Sequence, residues 1–117
     1  MKKIALLPLL SLYLSVTAQT NGHVTGYPAT GDVVISEIMA DPTPSRGLPE
    51  REYLEITNRT GDSLLTGGIM LIAGSDTAFL VEGWIAPGER IILCSTGSRS
   101  YLLPYGQVMA VKSFPTL

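Results

Sequence analysis

Carboxylates are the one chemical group that this sequence concentrates in a single stretch. Five acidic side chains fall between residues 37 and 55: Glu37, Asp41, Glu50, Glu52 and Glu55. Calcium takes roughly six to eight oxygen ligands in proteins. These residues are therefore candidate Ca²⁺ ligands, if the loop from Asp41 to Glu50 folds back over the neighbouring strand. The spacing matches no EF-hand loop, and solvated carboxylates on strand faces are the competing interpretation.

The residue types that hydrolytic catalysis needs are sparse. A Ser-His-Asp arrangement requires a histidine held by the fold, and the single histidine, His23, lies in a polar, Gly-bearing stretch. No nucleophile elbow, zinc-protease or phosphate-loop motif occurs. Glu52 and Glu55 have the chemistry of an acid-base pair, but their odd spacing puts them on opposite faces of a strand. We therefore predict a protein that is not an enzyme, without catalytic or cofactor-binding residues.

The single cysteine, Cys94, restricts the covalent chemistry of the chain. A lone thiol forms neither an internal disulfide nor a multi-Cys metal site. Because it ends the apolar run of residues 91–94, we predict a buried thiol that behaves as a small hydrophobe. An intermolecular disulfide or a reactive thiol is the alternative.

The N terminus has the pattern of an export signal. Lys2 and Lys3 precede an apolar run at residues 4–16, and small residues follow that suit cleavage after Ala18. The run is shorter than the roughly 20 residues that span a membrane, although a retained anchor is the alternative. We expect residues 1–18 to be a signal peptide, a secreted or cell-surface location, and no stable membrane span after cleavage.

The charge balance argues against a nucleic-acid partner. The whole chain has a formal net charge of −2, and six of its eight Lys and Arg residues follow residue 18 with all ten acids. The processed chain would thus carry about −4. Nucleic-acid binding usually requires clustered Lys and Arg, whereas Arg46, Arg51 and Arg59 are scattered among acids. We expect no nucleic acid among its partners.

The order of elements predicts an all-β domain after a flexible linker at residues 19–31. From residue 32 onward, short β-branched or apolar segments alternate with turn signals. Pro87-Gly88 predicts a type II turn and residues 74–76 a hairpin loop, while a Ser98 cap permits one or two helical turns after it. The predicted strands cover residues 32–40, 52–58, 68–73, 77–81, 89–95 and 107–111.

Side-chain alternation predicts which residues enter the core. In the strand at residues 52–58, Leu54 and Ile56 share a dry face, and Tyr53 and its alternate neighbours share a wet one. The continuous apolar residues 91–93 are typical of a strand in the middle of a sheet. We interpret Trp84 as an aromatic residue that packs in the core or against a hairpin; an exposed Trp that stacks on a ligand is the alternative.

The sequence also resembles a known family. The motifs that carry the likeness occur in order: Ile35-Ser36-Glu37-Ile38, Asp41-Pro42, residues 52–58 (EYLEITN), the Leu- and Gly-containing segment 65–71, and Pro87-Gly88 followed by the apolar residues 89–93. Together they resemble the lamin-tail domain, which also occurs in exported bacterial proteins, over about residues 33–117. The resemblance implies an immunoglobulin-like β-sandwich over residues 32–117.

The resemblance also implies that the sandwich is incomplete at its C-terminal end. Similar domains continue with further strands, and an immunoglobulin-like sandwich has about seven strands in about 100 residues. We therefore expect a fragment of a longer protein in which a sheet edge is uncovered. Because uncovered edges promote aggregation, residues 32–117 alone should be marginally stable or aggregate.

The function expected from these features is a non-catalytic binding or adhesion module. It would belong to an exported or cell-surface bacterial protein and hold a protein or glycan partner. The alternative is an accessory domain of a secreted hydrolase, such as a nuclease, phosphatase or protease, whose catalytic domain lies beyond Leu117.

Overall fold

The computed structural model describes residues 3–8 and 26–117 of the 117-residue chain. Strands dominate these residues, and helix is confined to α1 (Arg99–Leu102) and the 3₁₀ turns on either side of it, Thr96–Ser98 and Leu103–Tyr105. None of the helical segments in the described ranges has the length and apolar character needed to cross a bilayer. The strands are β1 (Ile4–Pro8), β2 (Val33–Met39), β3 (Tyr53–Asn58), β4 (Leu64–Leu65), β5 (Ile69–Ala73), β6 (Asp76–Phe79), β7 (Trp84–Ile85), β8 (Arg90–Cys94) and β9 (Val108–Ala110).

Within the described ranges, the strands pair into three sheets. The largest has the order β2-β3-β8-β9, in which β8 and β9 are parallel and the other neighbours antiparallel. A second sheet has the antiparallel order β1-β5-β6, and β4 pairs with β7 in a third. Since β8 has a neighbour on each side, its residues 91–94 are all buried. This confirms the prediction that the apolar run is an inner strand.

All three sheets contribute to the main core. Leu54 and Ile56 are fully buried, as their alternation predicts, and they pack with apolar residues of β5, β7 and β8. A smaller cluster lies on the opposite face of the four-stranded sheet, where Leu102 of α1 and Ile92 cover Tyr53. Tyr53 is only 5% exposed. The prediction of a wet face at Tyr53 is therefore wrong, because the short helix shields this end of the strand.

The structure forms both of the glycine-containing turns that the sequence predicts. The β5–β6 hairpin pairs Ala73 with Asp76, and Gly74 in its loop has a φ of 63°. At the second turn Glu89 N donates to Ala86 O at 3.0 Å and Gly88 has a φ of 71°, which is type II geometry. Ser98 is the N-cap residue of α1, as predicted, but without the expected side-chain bond. Its hydroxyl lies 2.9 Å from Ser95 Oγ and makes no capping bond to the helix.

The N-terminal segment takes part in the fold of this chain. β1 lies within the predicted signal peptide and runs antiparallel along β5. The predicted cleavage point after Ala18 and the linker residue His23 lie outside the described residues. The described end of the predicted linker, residues 26–31, contacts the domain: Leu65 N donates to Gly26 O, and Ala29 N donates to Asp32 Oδ2 at 2.8 Å.

Candidate functional site

Three chain segments converge at one end of the four-stranded sheet because of its topology. β2 and β8 both run antiparallel to β3, and β9 runs parallel to β8. The last residues of β2, β8 and β9 therefore lie at the end of the sheet where β3 begins. The segments that follow these three strands meet there: residues 40–52, which lead from β2 into β3, residues 95–98 and residues 111–117.

The three segments enclose a cleft of about 380 Å³. Small-molecule and peptide sites in proteins have volumes of roughly 300–1,000 Å³, so the cleft is large enough for a few side chains of a partner. Its lining combines carboxylates, a guanidinium, hydroxyls and an aromatic ring. The residues that define this surface, called the loop-end cleft below, are Glu50, Arg51, Glu52, Ser98 and Phe114.

Arg51 connects the cleft to an exposed aromatic side chain. Its guanidinium carbon lies 4.2 Å from the centre of the Tyr101 ring, a cation–π contact of about 0.5–1 kcal/mol at exposed sites. Tyr101 is 52% exposed, whereas the next residue, Leu102, is buried at 1% and anchors α1 to the sheet. The helix thus holds Tyr101 in solvent beside the cleft. Leu103, in the following turn, adds further exposed apolar surface.

A second recess adjoins the cleft within the β2–β3 loop. It has a volume of about 300 Å³, and Pro42 lines both spaces. The loop is held by its own side chains: Ser45 Oγ donates to Leu48 O at 2.6 Å, and Thr43 Oγ1 lies 3.4 Å from Asp41 Oδ1. The β2–β3 loop is therefore held in a defined conformation beside the cleft.

The acidic residues predicted as calcium ligands are distributed over several environments. Glu37 and Glu55 lie opposite each other on β2 and β3. Like charges in this position repel, and each carboxylate here has a compensating contact. Tyr53 OH donates to Glu37 Oε1 at 2.6 Å, and Ser36 Oγ donates to Glu55 Oε1 at 2.7 Å. Arg90 lies 3.7 Å from the same Glu55 oxygen.

The other candidate calcium ligands, Glu50, Glu52 and Asp41, do not form a metal site with Glu37 and Glu55. Glu50 and Glu52 line the loop-end cleft, and Asp41 lines the adjoining recess. Glu52 Oε2 accepts a hydrogen bond from the Leu117 amide at 3.3 Å. Among residues 3–8 and 26–117, no three or more Asp, Glu, His or Cys side chains are placed to hold a metal ion together. The predicted calcium ligands are thus not brought together, because Glu37 and Glu55 are held by their own partners on β2 and β3 while the other three line the cleft and the recess.

Among the residues that the structure describes, two side chains have clearly shifted pKa values, and both stay neutral at pH 7. Burial, followed by the hydrogen bond to Glu37, raises the pKa of Tyr53 to about 12. Burial also raises the pKa of the Cys94 thiol, against a smaller opposing effect of Arg99. Cys94 is fully buried, which confirms the predicted small-hydrophobe role. A thiol with a raised pKa is a poor nucleophile.

Some residues of this surface carry no signal in the sequence. Arg51, Tyr101 and Phe114 come from three separate segments, and no spacing along the chain signals that they meet. Trp84 was interpreted as a core or hairpin aromatic, but it is 59% exposed. The predicted core placement of Trp84 is therefore wrong, because β7 is a two-residue strand in which Ile85 is buried and Trp84 is exposed.

A comparison of the chain with models of protein families, with curated proteins and with solved structures found no match. The resemblance to the lamin-tail domain therefore stays a prediction from the sequence.

Proposed function

We propose that this chain is a non-catalytic binding module of an exported or cell-surface protein and that its partner docks at the loop-end cleft. The observation that carries this proposal is the pairing of Arg51 with the exposed Tyr101 at the rim of a cleft of about 380 Å³. Arg and Tyr are enriched among the residues that contribute most to protein interfaces.

The chemistry of the surface favours a polypeptide partner over a glycan. Sugars stack on free aromatic faces, but the Arg51 guanidinium already covers one face of the Tyr101 ring. The cleft offers both charge signs, from Arg51 and from the carboxylates of Glu50 and Glu52. A peptide with mixed charges and an apolar side chain directed toward Phe114 complements this pattern.

An immunoglobulin-like fold and export of the protein are part of the same proposal. A core shared by the four-stranded and three-stranded sheets is compatible with an immunoglobulin-like, lamin-tail-like sandwich, and the N-terminal pattern of the sequence supports export. The neutral states of Tyr53 and Cys94 support a role without catalysis, because neither side chain is activated as a nucleophile or base.

A peptide and glycan array probed with the labelled full chain tests this proposal. We expect binding to a subset of peptides of mixed charge, with loss of that binding in Tyr101→Ala. Tyr27→Ala is the matched control, because Tyr27 is also exposed (37%) and lies in the segment that leads into β2. Binding to glycans alone would refute the polypeptide partner, and equal binding by both variants would refute the position of the surface.

A further inference from the structure

The outer edge of β5 is covered by a segment that a processed chain would lack. β1 lies antiparallel along this edge, from Ile4 opposite Ala73 to Pro8 opposite Ile69. Gly74 N extends the ladder by donating to Lys3 O at 3.0 Å. If residues 1–18 are removed on export, as the proposed function holds, the backbone groups on this side of β5 lose their partners.

The covering strand contacts the domain through alternate side chains. Ile4 and Leu6 are half-buried and pack against the main core, while Ala5 between them is exposed. Leu6 also borders a small cavity of about 20 Å³ with Val33 and Ile69. The edge therefore presents an apolar groove that receives two side chains separated by one residue.

The backbone pattern along the edge follows from the hydrogen bond at its end. In an antiparallel ladder, hydrogen-bonded pairs alternate with non-hydrogen-bonded pairs. Since the pair of Lys3 with Gly74 is hydrogen-bonded, Ala5 and Leu7 turn their N–H groups toward β5. The residues on either side of Ala5 turn theirs away. Each backbone position of the bound strand thus has a defined role.

We propose that the outer edge of β5 is a strand-accepting site, which binds an extended segment of a partner polypeptide that carries the Ile-x-Leu pattern of β1. Strand addition of this kind derives its affinity from main-chain hydrogen bonds and its specificity from alternate side chains. A second processed copy of this chain would lack the β1 segment. Its other Ile-x-Leu segments are residues 69–71 of the accepting strand β5 itself and residues 91–93 of β8, which is paired on both sides. The strand therefore comes from a different polypeptide. This site lies on the three-stranded sheet and is separate from the loop-end cleft.

The test opens the edge in the full chain and supplies the strand as a peptide. In the double variant Ile4→Asp, Leu6→Asp, β1 leaves the edge because carboxylates are not tolerated in an apolar groove. The probe is a fluorescein-labelled peptide with the sequence KIALLP and a lysine tail for solubility. We expect a saturable rise in its fluorescence anisotropy, with at least tenfold tighter binding to the double variant than to the unaltered chain. Val81→Asp, Leu103→Asp is the control for added charge, because both residues are exposed.

Two N-methylated peptides distinguish strand addition from general hydrophobic binding. Methylation of the nitrogens that correspond to Ala5 and Leu7 removes the donors that face β5, and we expect at least tenfold weaker binding. Methylation at Ile4 and Leu6 leaves those donors intact, and we expect binding within about threefold of the parent peptide. Equal binding of the two methylated peptides would overturn the proposal.

A milder variant keeps the test decisive if the double variant does not melt cooperatively. Leu6→Ala weakens the docking of β1 without adding charge, and it should bind the probe more tightly than the unaltered chain does. Absence of probe binding by both variants would overturn the strand-accepting site. Tyr101→Ala introduced into the opened chain should leave probe binding unchanged, so failure of the loop-end cleft and failure of this site are distinguishable.

Discussion

Asn58 joins separate backbone segments through one fully buried side chain. Its amide nitrogen donates to the carbonyl oxygens of Asp62 (2.7 Å), Ile85 (3.0 Å) and Ala86 (3.1 Å). Its side-chain oxygen accepts from Thr60 N (2.9 Å) and Thr60 Oγ1 (2.8 Å). The side chain therefore fixes the turn after β3 to the end of β7, and Asn58→Ala removes all of these contacts at once.

The expected loss of stability can be worked out from the burial of the partners. The bond to the Ile85 carbonyl is buried, and removing the donor from a buried hydrogen bond costs about 1–3 kcal/mol. The four other bonds are partly buried, so water can replace the lost partner at about 0.5 kcal/mol each. The free energy of unfolding should fall by about 3–5 kcal/mol, or roughly 15–25 °C in Tm.

Urea and thermal denaturation of the full chain measure this effect, with Arg59→Ala as the neighbouring exposed control. The control should change stability by less than about 0.5 kcal/mol. A loss below about 1 kcal/mol in Asn58→Ala would refute the assigned role of this side chain.

Asn58→Asp adds a test through pH. The carboxylate would face carbonyl oxygens, which raises the folded-state pKa of the new Asp above its unfolded value of about 3.9. The penalty relative to the unaltered chain is therefore small below about pH 4 and grows as the pH rises through the folded-state pKa. A penalty independent of pH would contradict the donor geometry at this position.

Three further outcomes follow from other buried groups. The folded state keeps the Tyr53 proton up to about pH 12, while the unfolded chain loses it near pH 10. The free energy of unfolding should therefore decline between these pH values, and it should decline less steeply in Tyr53→Phe. Urea denaturation midpoints at pH 9–12 measure this difference. A similar decline in both chains would contradict the assignment. The Cys94 thiol should react with Ellman's reagent at least about 100-fold more slowly in the folded chain than in urea, since reaction requires opening; comparable rates would show an accessible thiol. Thr66→Val removes the hydroxyl that donates to Val81 O at 2.7 Å. The free energy of unfolding, measured by denaturation, should fall by about 1–2 kcal/mol. An unchanged free energy would show that this bond is dispensable.

The sequence predicts the longer strands because each carries a signal of its own. Alternation identifies Leu54 and Ile56 as core residues, and the continuous apolar run identifies β8 as an inner strand. The two-residue strands β4 and β7 are too short to show any period. β1 escapes prediction for a different reason, since its apolar run has the composition of an export signal and pairs only through contacts distant in sequence.

The loop-end cleft could not be predicted because its parts meet only through topology. The number of acidic residues suggests a cluster, but the register of β2 and β3 sets Glu37 opposite Glu55, where each carboxylate has its own partner. Arg51 and Tyr101 lie far apart in the sequence, and their contact depends on α1 packing over Tyr53. Single-residue signals do not report such an arrangement.

The affinity of the full chain for a peptide selected on the array shows whether the loop-end cleft is the binding surface. Isothermal titration calorimetry of the unaltered chain, Arg51→Ala and Arg59→Ala compares two substitutions with the same change of charge. We expect at least about tenfold weaker binding for Arg51→Ala, a loss of roughly 1.4 kcal/mol, and no significant change for Arg59→Ala. Equal affinities for the three chains would contradict a binding surface at the loop-end cleft.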